Sequence, residues 1–112
     1  MHELTITQNI LNVALEHARG AGAKKVGRIN LVIGEMTGIV SESVQFYFNF
    51  IKEGTLAEEA SLFFNIVPAR FRCRACGTPF ELKTDTSCPH CKASDMEVLS
   101  GRELFVESIE VD

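Results

Sequence analysis

An α+β fold with an inserted four-cysteine module is predicted by three features of the chain. Two stretches carry apolar residues at helical spacing, several short runs alternate apolar with polar residues, and two C-x-x-C pairs sit close together in the second half. A length of 112 residues suits one modest core plus one small appendage. With 46% hydrophobic and 23% charged residues, the composition is that of a globular chain and excludes disordered and collagen-like classes.

From Thr5 to Ala18, Ile6, Ile10 and Val13, then Leu11, Leu15 and Ala18, recur on one side, and Gln8, Asn12 and Glu16 on the other. This predicts a first helix, stopped by Gly20-Ala21-Gly22 because glycine tolerates the left-handed conformation that closes a helix. No Walker pattern surrounds those glycines, so they do not read as a phosphate cradle. Ile29, Leu31 and Ile33 alternate with Arg28 and Asn30 as a strand with one buried face, and Gly34 to Gly38 then reads as a loop. Ser41 can cap a second helix on which Val44, Tyr47, Phe48 and Ile51 share a face, ending at Gly54. Leu62, Phe64 and Ile66 predict another strand before Pro68 interrupts it. Met96 to Ser100 and Leu104 to Val111 read as two closing strands joined at Gly101.

Cys73-Arg74-Ala75-Cys76 and Cys88-Pro89-His90-Cys91 are separated by eleven residues, so two tight turns can present four thiolates tetrahedrally to one ion. Phe71, Phe80 and Leu82 are the only sizeable apolar residues nearby, too few to order the segment alone, and a structural metal supplies the missing stabilisation. The expected fold is therefore two helices packed on a small, mostly antiparallel sheet, with an inserted four-cysteine zinc-ribbon or knuckle module. Residues 1–69 and 94–112 form the α+β unit in this reading, and residues 70–93 the zinc-binding cysteine module. A redox dithiol pair and a rubredoxin-like iron site are the competing chemistries for four thiols. His90 can replace a cysteine as ligand or face solvent, and His17 reads as a histidine at the edge of a packed helix face.

No apolar run exceeds three residues, far short of the ~18 that would suggest a membrane span, and the start has neither the basic region nor the apolar region of a signal peptide. A cytoplasmic location is expected, where four cysteines read as metal ligands before disulfides. The formal net charge of −4 argues against general nucleic-acid binding. Arg70, Arg72, Arg74, Lys83 and Lys92 prompt a zinc-ribbon interaction module as the alternative, opposed by Glu81, Asp85 and Asp95 in the same segment. No nucleophile, base and open metal site can be assembled, so an enzyme is not expected.

His2 places an imidazole within a few bonds of the Met1 amine and the first backbone amides, a nitrogen-rich set that suits Ni(II) better than zinc. Glu3 can add a carboxylate oxygen or orient a ligand. Met1-His2-Glu3-Leu4, Ile33-Gly34-Glu35 followed by Gly38-Ile39-Val40, the pairs Cys73-x-x-Cys76 and Cys88-Pro-x-Cys91, and the ending Ser108-Ile109-Glu110-Val111 together resemble the HypA/HybF family of hydrogenase nickel-incorporation proteins. The resemblance extends over nearly the whole chain.

The resemblance implies a nickel metallochaperone that carries Ni(II) and holds a structural Zn(II). It implies His2 as the essential nickel ligand with Glu3 beside it, and Cys73, Cys76, Cys88 and Cys91 on zinc. It also implies work with a nickel-binding GTPase to fill the [NiFe] hydrogenase large subunit and, in some organisms, work with urease accessory proteins, as a monomer or homodimer. This chain has no G-x-x-x-x-G-K-[ST] loop, so nucleotide hydrolysis falls to the partner. One departure stands out: where some family members place an acidic nickel ligand, this chain has Val40, which cannot coordinate. Glu35 and Glu42 are the neighbouring carboxylates that could substitute, with a solvated surface role as the alternative for each.

Overall fold

The computed structural model describes residues 3–81 and 87–112. The expected ligands Met1 and His2, together with Leu82, Lys83 and Asp85, lie outside the described residues. Helix α1 spans Glu3–Gly20, and Thr7, Ile10, Leu11, Ala14, Leu15 and Ala18 form its buried stripe. The single buried polar side chain there, Thr7, donates its hydroxyl proton to the Glu3 carbonyl and so carries no unpaired group inward. The helix closes as its sequence implies. Gly22 takes a φ of 67° and donates to the Arg19 carbonyl at 3.0 Å, and Ala23 N–H reaches the Ala18 carbonyl at 2.9 Å, the bond pattern of a Schellman motif.

Strand β1 (Val26–Gly34) is the centre of a three-stranded sheet, flanked by β2 (Ser61–Val67) and β6 (Leu104–Val111). β1 pairs with β2 in parallel, from Arg28 opposite Ser61 to Gly34 opposite Val67, and with β6 antiparallel. Parallel neighbours need a crossover, and α2 (Ser41–Ile51) supplies it. Val44 and Phe48, both fully buried, fix α2 against α1 and the sheet. The N-cap of this helix is Val40; Ser41, expected to cap it, is its first helical residue, and no side-chain cap bond forms. The loop expected at Gly34 to Gly38 contains a single 3-10 turn, Glu35–Thr37, which the Thr37 hydroxyl stabilises by donating to the Gly34 carbonyl at 2.8 Å.

The helix-covered face of the sheet holds the main core, with Ile29 and Leu31 of β1 and Leu62 of β2 under Leu11, Leu15 and Phe48. Its other face carries a polar cluster around Arg28. Arg28 lies 3.5 Å over the Phe63 ring, donates to Asn30 at 2.7 Å and pairs with Glu110 at 3.4 Å, and Asn30 donates to the Ser108 hydroxyl at 2.9 Å.

The second sheet takes in one of the two expected closing strands. Strands β3 (Arg70–Cys73), β4 (Pro79–Phe80) and β5 (Met96–Ser100) form a separate three-stranded antiparallel sheet in the order β4-β3-β5. Met96–Ser100 and Leu104–Val111 are strands at the expected bounds, but Met96–Ser100 does not lie beside Leu104–Val111 in the first sheet; it pairs with β3. Alternation shows that a strand has two unlike faces but not which sheet it joins. β3 and β4 were not expected either, because so short a pair has no period of its own to read. A second small core lies here, in which Phe71 and Phe80 stack at 6.0 Å between ring centroids among Cys73, Cys88, Met96 and Val98. The two cores make an elongated molecule. Its radius of gyration is 17.8 Å, against the roughly 13 Å of a compact chain this long. Among the described residues, no helix is long and apolar enough to cross a membrane.

Candidate metal centre

The two C-x-x-C segments fold into the same turn. Gly77 N–H donates to the Cys73 carbonyl at 2.8 Å, and Cys73 N–H donates to the Thr78 carbonyl at 3.0 Å. In the second turn Lys92 N–H donates to the Cys88 carbonyl at 2.9 Å, and Cys88 N–H to the Ala93 carbonyl at 2.8 Å. Each turn thus leaves its first cysteine buried at the base and its second exposed at the rim: Cys73 and Cys88 are buried, Cys76 and Cys91 exposed. β3 delivers Cys73 into the first turn, and β4 follows it. Ala93, packed against the small core, anchors the exit of the second turn.

The turns face each other so that the four sulfurs lie within 4.8 Å of one another. Cys73 Sγ is 3.5 Å from Cys91 Sγ, and Cys76 Sγ is 3.8 Å from Cys88 Sγ, each pair bridging the two turns. A tetrahedral ion with metal–sulfur bonds of about 2.3 Å requires sulfurs about 3.8 Å apart, so a donor set within 4.8 Å is close to what a zinc-sized ion needs. His90 and Cys91 aim their backbone N–H groups at Cys88 Sγ, at 3.3 and 3.5 Å, and so orient that sulfur within the cluster. His90 serves the site through its backbone, and the residue itself is exposed.

The rim thiols are driven apart in acidity. Hydrogen bonding with the Thr78 hydroxyl and then with the Thr78 backbone lowers Cys76 to about 6. Cys91 is pushed up to about 12: the Ala93 backbone pulls it down, but the hydrogen bond with Cys73, desolvation, and the bonds with Cys76 and Cys88 outweigh that pull. At neutral pH the cluster therefore presents a thiolate at Cys76 and a proton at Cys91. A divalent cation removes the conflict by replacing shared protons with a central positive charge.

The remaining expected site residues are spread out. Glu3 is half-buried in the first turn of α1, where a carboxylate complements the helix dipole. Ile6, one turn on, shares an apolar groove with Leu104 and Phe105, so this end of α1 lies against the start of β6. Val40 and Glu42 are exposed at the start of α2, whereas the Glu35 carboxylate accepts the Ala69 N–H at 3.0 Å. His17 is exposed on α1 beside a shallow groove with Val13 and Glu107. Thr78 and Ala93 were missed as site residues, although their position two residues past each C-x-x-C is a signal that a symmetric pair of turns would have supplied.

Fold and site define a small α+β metal-binding protein with a zinc-ribbon-like cluster of four cysteines. The family described as "Hydrogenase/urease nickel incorporation, metallochaperone, hypA" matches residues 1–111. The hydrogenase maturation factor HypA of Dehalococcoides mccartyi is 46% identical over 113 residues, covering all of this chain and 95% of that protein. The protein of the same name from Caldanaerobacter subterraneus is also 46% identical, with complete coverage of both chains. A solution structure of HypA protein superposes with a TM-score of 0.72, at 23% identity, over 99% of this chain and 96% of the other. The nickel metallochaperone HypA of Helicobacter pylori superposes with a TM-score of 0.66 at the same identity, over 99% and 97%. The chain belongs to the HypA family.

Proposed function

We propose that this chain is a nickel metallochaperone that binds Ni(II) at its N-terminus and hands it on during maturation of [NiFe] hydrogenase, and of urease where urease is the client. The observation that carries this reading is the family match along residues 1–111, which includes the His2-Glu3 terminus and the four clustered cysteines in one frame. His2 and the Met1 amine supply nitrogen donors, and Glu3 an oxygen donor, from the end of α1. A site on a chain end exchanges ligands stepwise, so a receiving protein can take the ion as His2 and the amine detach. Cys73, Cys76, Cys88 and Cys91 hold Zn(II) in a closed four-sulfur site with no open position, which suits a structural role.

The division of labour follows the two sheets: the α+β unit carries the cargo, and the cysteine module shapes the surface that partners recognise. The partners in this reading are a nickel-binding GTPase and the hydrogenase large subunit, in the cytoplasm, and the protein itself is not an enzyme. A nucleic-acid role for the module is not favoured, since Arg72 pairs with Glu97 at 3.9 Å and Arg74 with Asp95 at 3.5 Å. The amine's part is tested by nickel calorimetry on untagged protein and on protein extended at its N-terminus. Extension should remove or sharply weaken nickel binding; equal affinity would exclude the amine.

A further inference from the structure

The chain crosses between its two sheets twice, at Pro68-Ala69 between β2 and β3, and from Gly101 to Glu103 between β5 and β6. Two crossings alone would make a hinge. A third segment, the end of β1 with its 3-10 turn, clasps both. Gly34 N–H donates to the Glu103 carbonyl at 2.6 Å, and Met36 N–H donates to the Gly101 carbonyl at 2.7 Å. The approach is so close that a Cβ on Gly34 would fall 2.1 Å from the Gly101 oxygen. Gly101 itself has a φ of 115°, and a Cβ there would meet Ala69 Cα at 2.9 Å and Met36 Cγ at 3.1 Å. The Ser100 hydroxyl ties the crossings to each other by donating to the Pro68 carbonyl at 2.8 Å.

The clasp reaches the Pro68-Ala69 crossing through one side chain. Pro68 has no amide proton, so Ala69 N–H is the only donor of that pair, and the Glu35 carboxylate accepts it at 3.0 Å. We infer that Glu35 is a positioning residue: its carboxylate locks the β2–β3 crossing to the end of β1, and the cysteine module is thereby carried at a fixed orientation on the α+β unit. The Gly101–Glu103 crossing is held to the end of β1 by backbone bonds, which do not involve the side chain at position 35, while the Glu35 carboxylate is what ties the Ala69 amide to that segment. Because Ile6 of α1 shares a groove with Leu104 and Phe105 just past the junction, the same clasp sets the module's position relative to the start of α1. That consequence for delivery rests on the metallochaperone reading; the mechanical role does not.

The experiment is 15N relaxation and amide exchange on the full zinc-loaded chain, comparing wild type with Glu35→Ala and Glu35→Gln, with nickel titrations alongside. In wild type both units should tumble with one correlation time. In Glu35→Ala the cysteine module should reorient separately and Ala69 exchange should quicken about tenfold, while zinc content stays unchanged. Glu35→Gln, whose carboxamide oxygen still accepts, should behave as wild type. Unchanged tumbling and unchanged Ala69 exchange in Glu35→Ala would overturn the inference, as would a Glu35→Gln variant as loose as Glu35→Ala. Loss of nickel affinity in both variants with rigid tumbling would instead make Glu35 a nickel ligand and also overturn it. A wild type that binds no nickel would remove the proposed function and leave the tumbling comparison to decide the clasp.

Discussion

Gly77 and Lys92 occupy equivalent places in the two halves of the metal centre, each one residue past the second cysteine of its turn and each at positive φ, 77° and 68°. In both turns this residue's N–H returns to the carbonyl of the first cysteine, a closure that needs the left-handed conformation. Glycine reaches it freely, and lysine carries a Cβ penalty. Lys92→Gly should therefore stabilise the zinc-loaded module by about 0.5–1 kcal/mol, and Gly77→Ala should destabilise it by about 1–2 kcal/mol. Zinc retention against a competing chelator checks both signs.

The opposed acidities of Cys76 and Cys91 predict how zinc affinity varies with pH. Cys76, ionised down to about 6, gives up no proton on binding at neutral pH, whereas Cys91, protonated up to about 12, must lose one. As pH falls through about 6, Cys76 also takes up a proton that zinc must displace, so below that point affinity should fall about tenfold more per pH unit than above it. Competitive zinc titrations from pH 5 to 8 should show this break. A uniform slope would contradict the thiolate assignment. A break that moves upward in Thr78→Val would support Thr78 as its cause.

The main core should fail at α2. Phe48 is fully buried and is the largest side chain that bridges α1, α2 and the sheet. Phe48→Ala should cost about 3–5 kcal/mol in urea unfolding. Phe46→Ala, two residues away on the exposed face, should cost less than about 0.5 kcal/mol.

Gly34 is the steric key of the junction. Gly34→Ala must push a methyl into the Gly101 carbonyl, 2.1 Å away, or open the contact, and should destabilise by about 1–3 kcal/mol. Gly27→Ala, on the same strand with its nearest atom at 3.8 Å, is the control and should be close to neutral in the same denaturation experiment.

Helical period made α1 and α2 legible, because a stripe such as Leu11, Leu15 and Ala18 has no other good explanation, and the C-x-x-C spacing made the metal centre legible because ligand geometry is local. What escaped were relationships between distant segments. The alternation of Met96–Ser100 is compatible with either sheet, and its pairing with β3 is decided by the small core of Phe71, Phe80, Met96 and Val98 rather than by its own sequence. Glu35 read as a candidate ligand or a solvated carboxylate, since nothing local shows that the Ala69 amide, 34 residues on, needs an acceptor. Lys92 gave no sign of its positive φ, because lysine is rarely found there and only the symmetry with Gly77 reveals the requirement.

The central claim, nickel on the N-terminus and zinc on the cysteines as separable sites, is tested most directly by metal analysis and nickel calorimetry on untagged protein, comparing wild type with His2→Ala. One zinc per chain in both proteins, with stoichiometric nickel binding in wild type that vanishes in His2→Ala, is the predicted result. Nickel binding that survives the substitution, or zinc lost together with nickel, would contradict it.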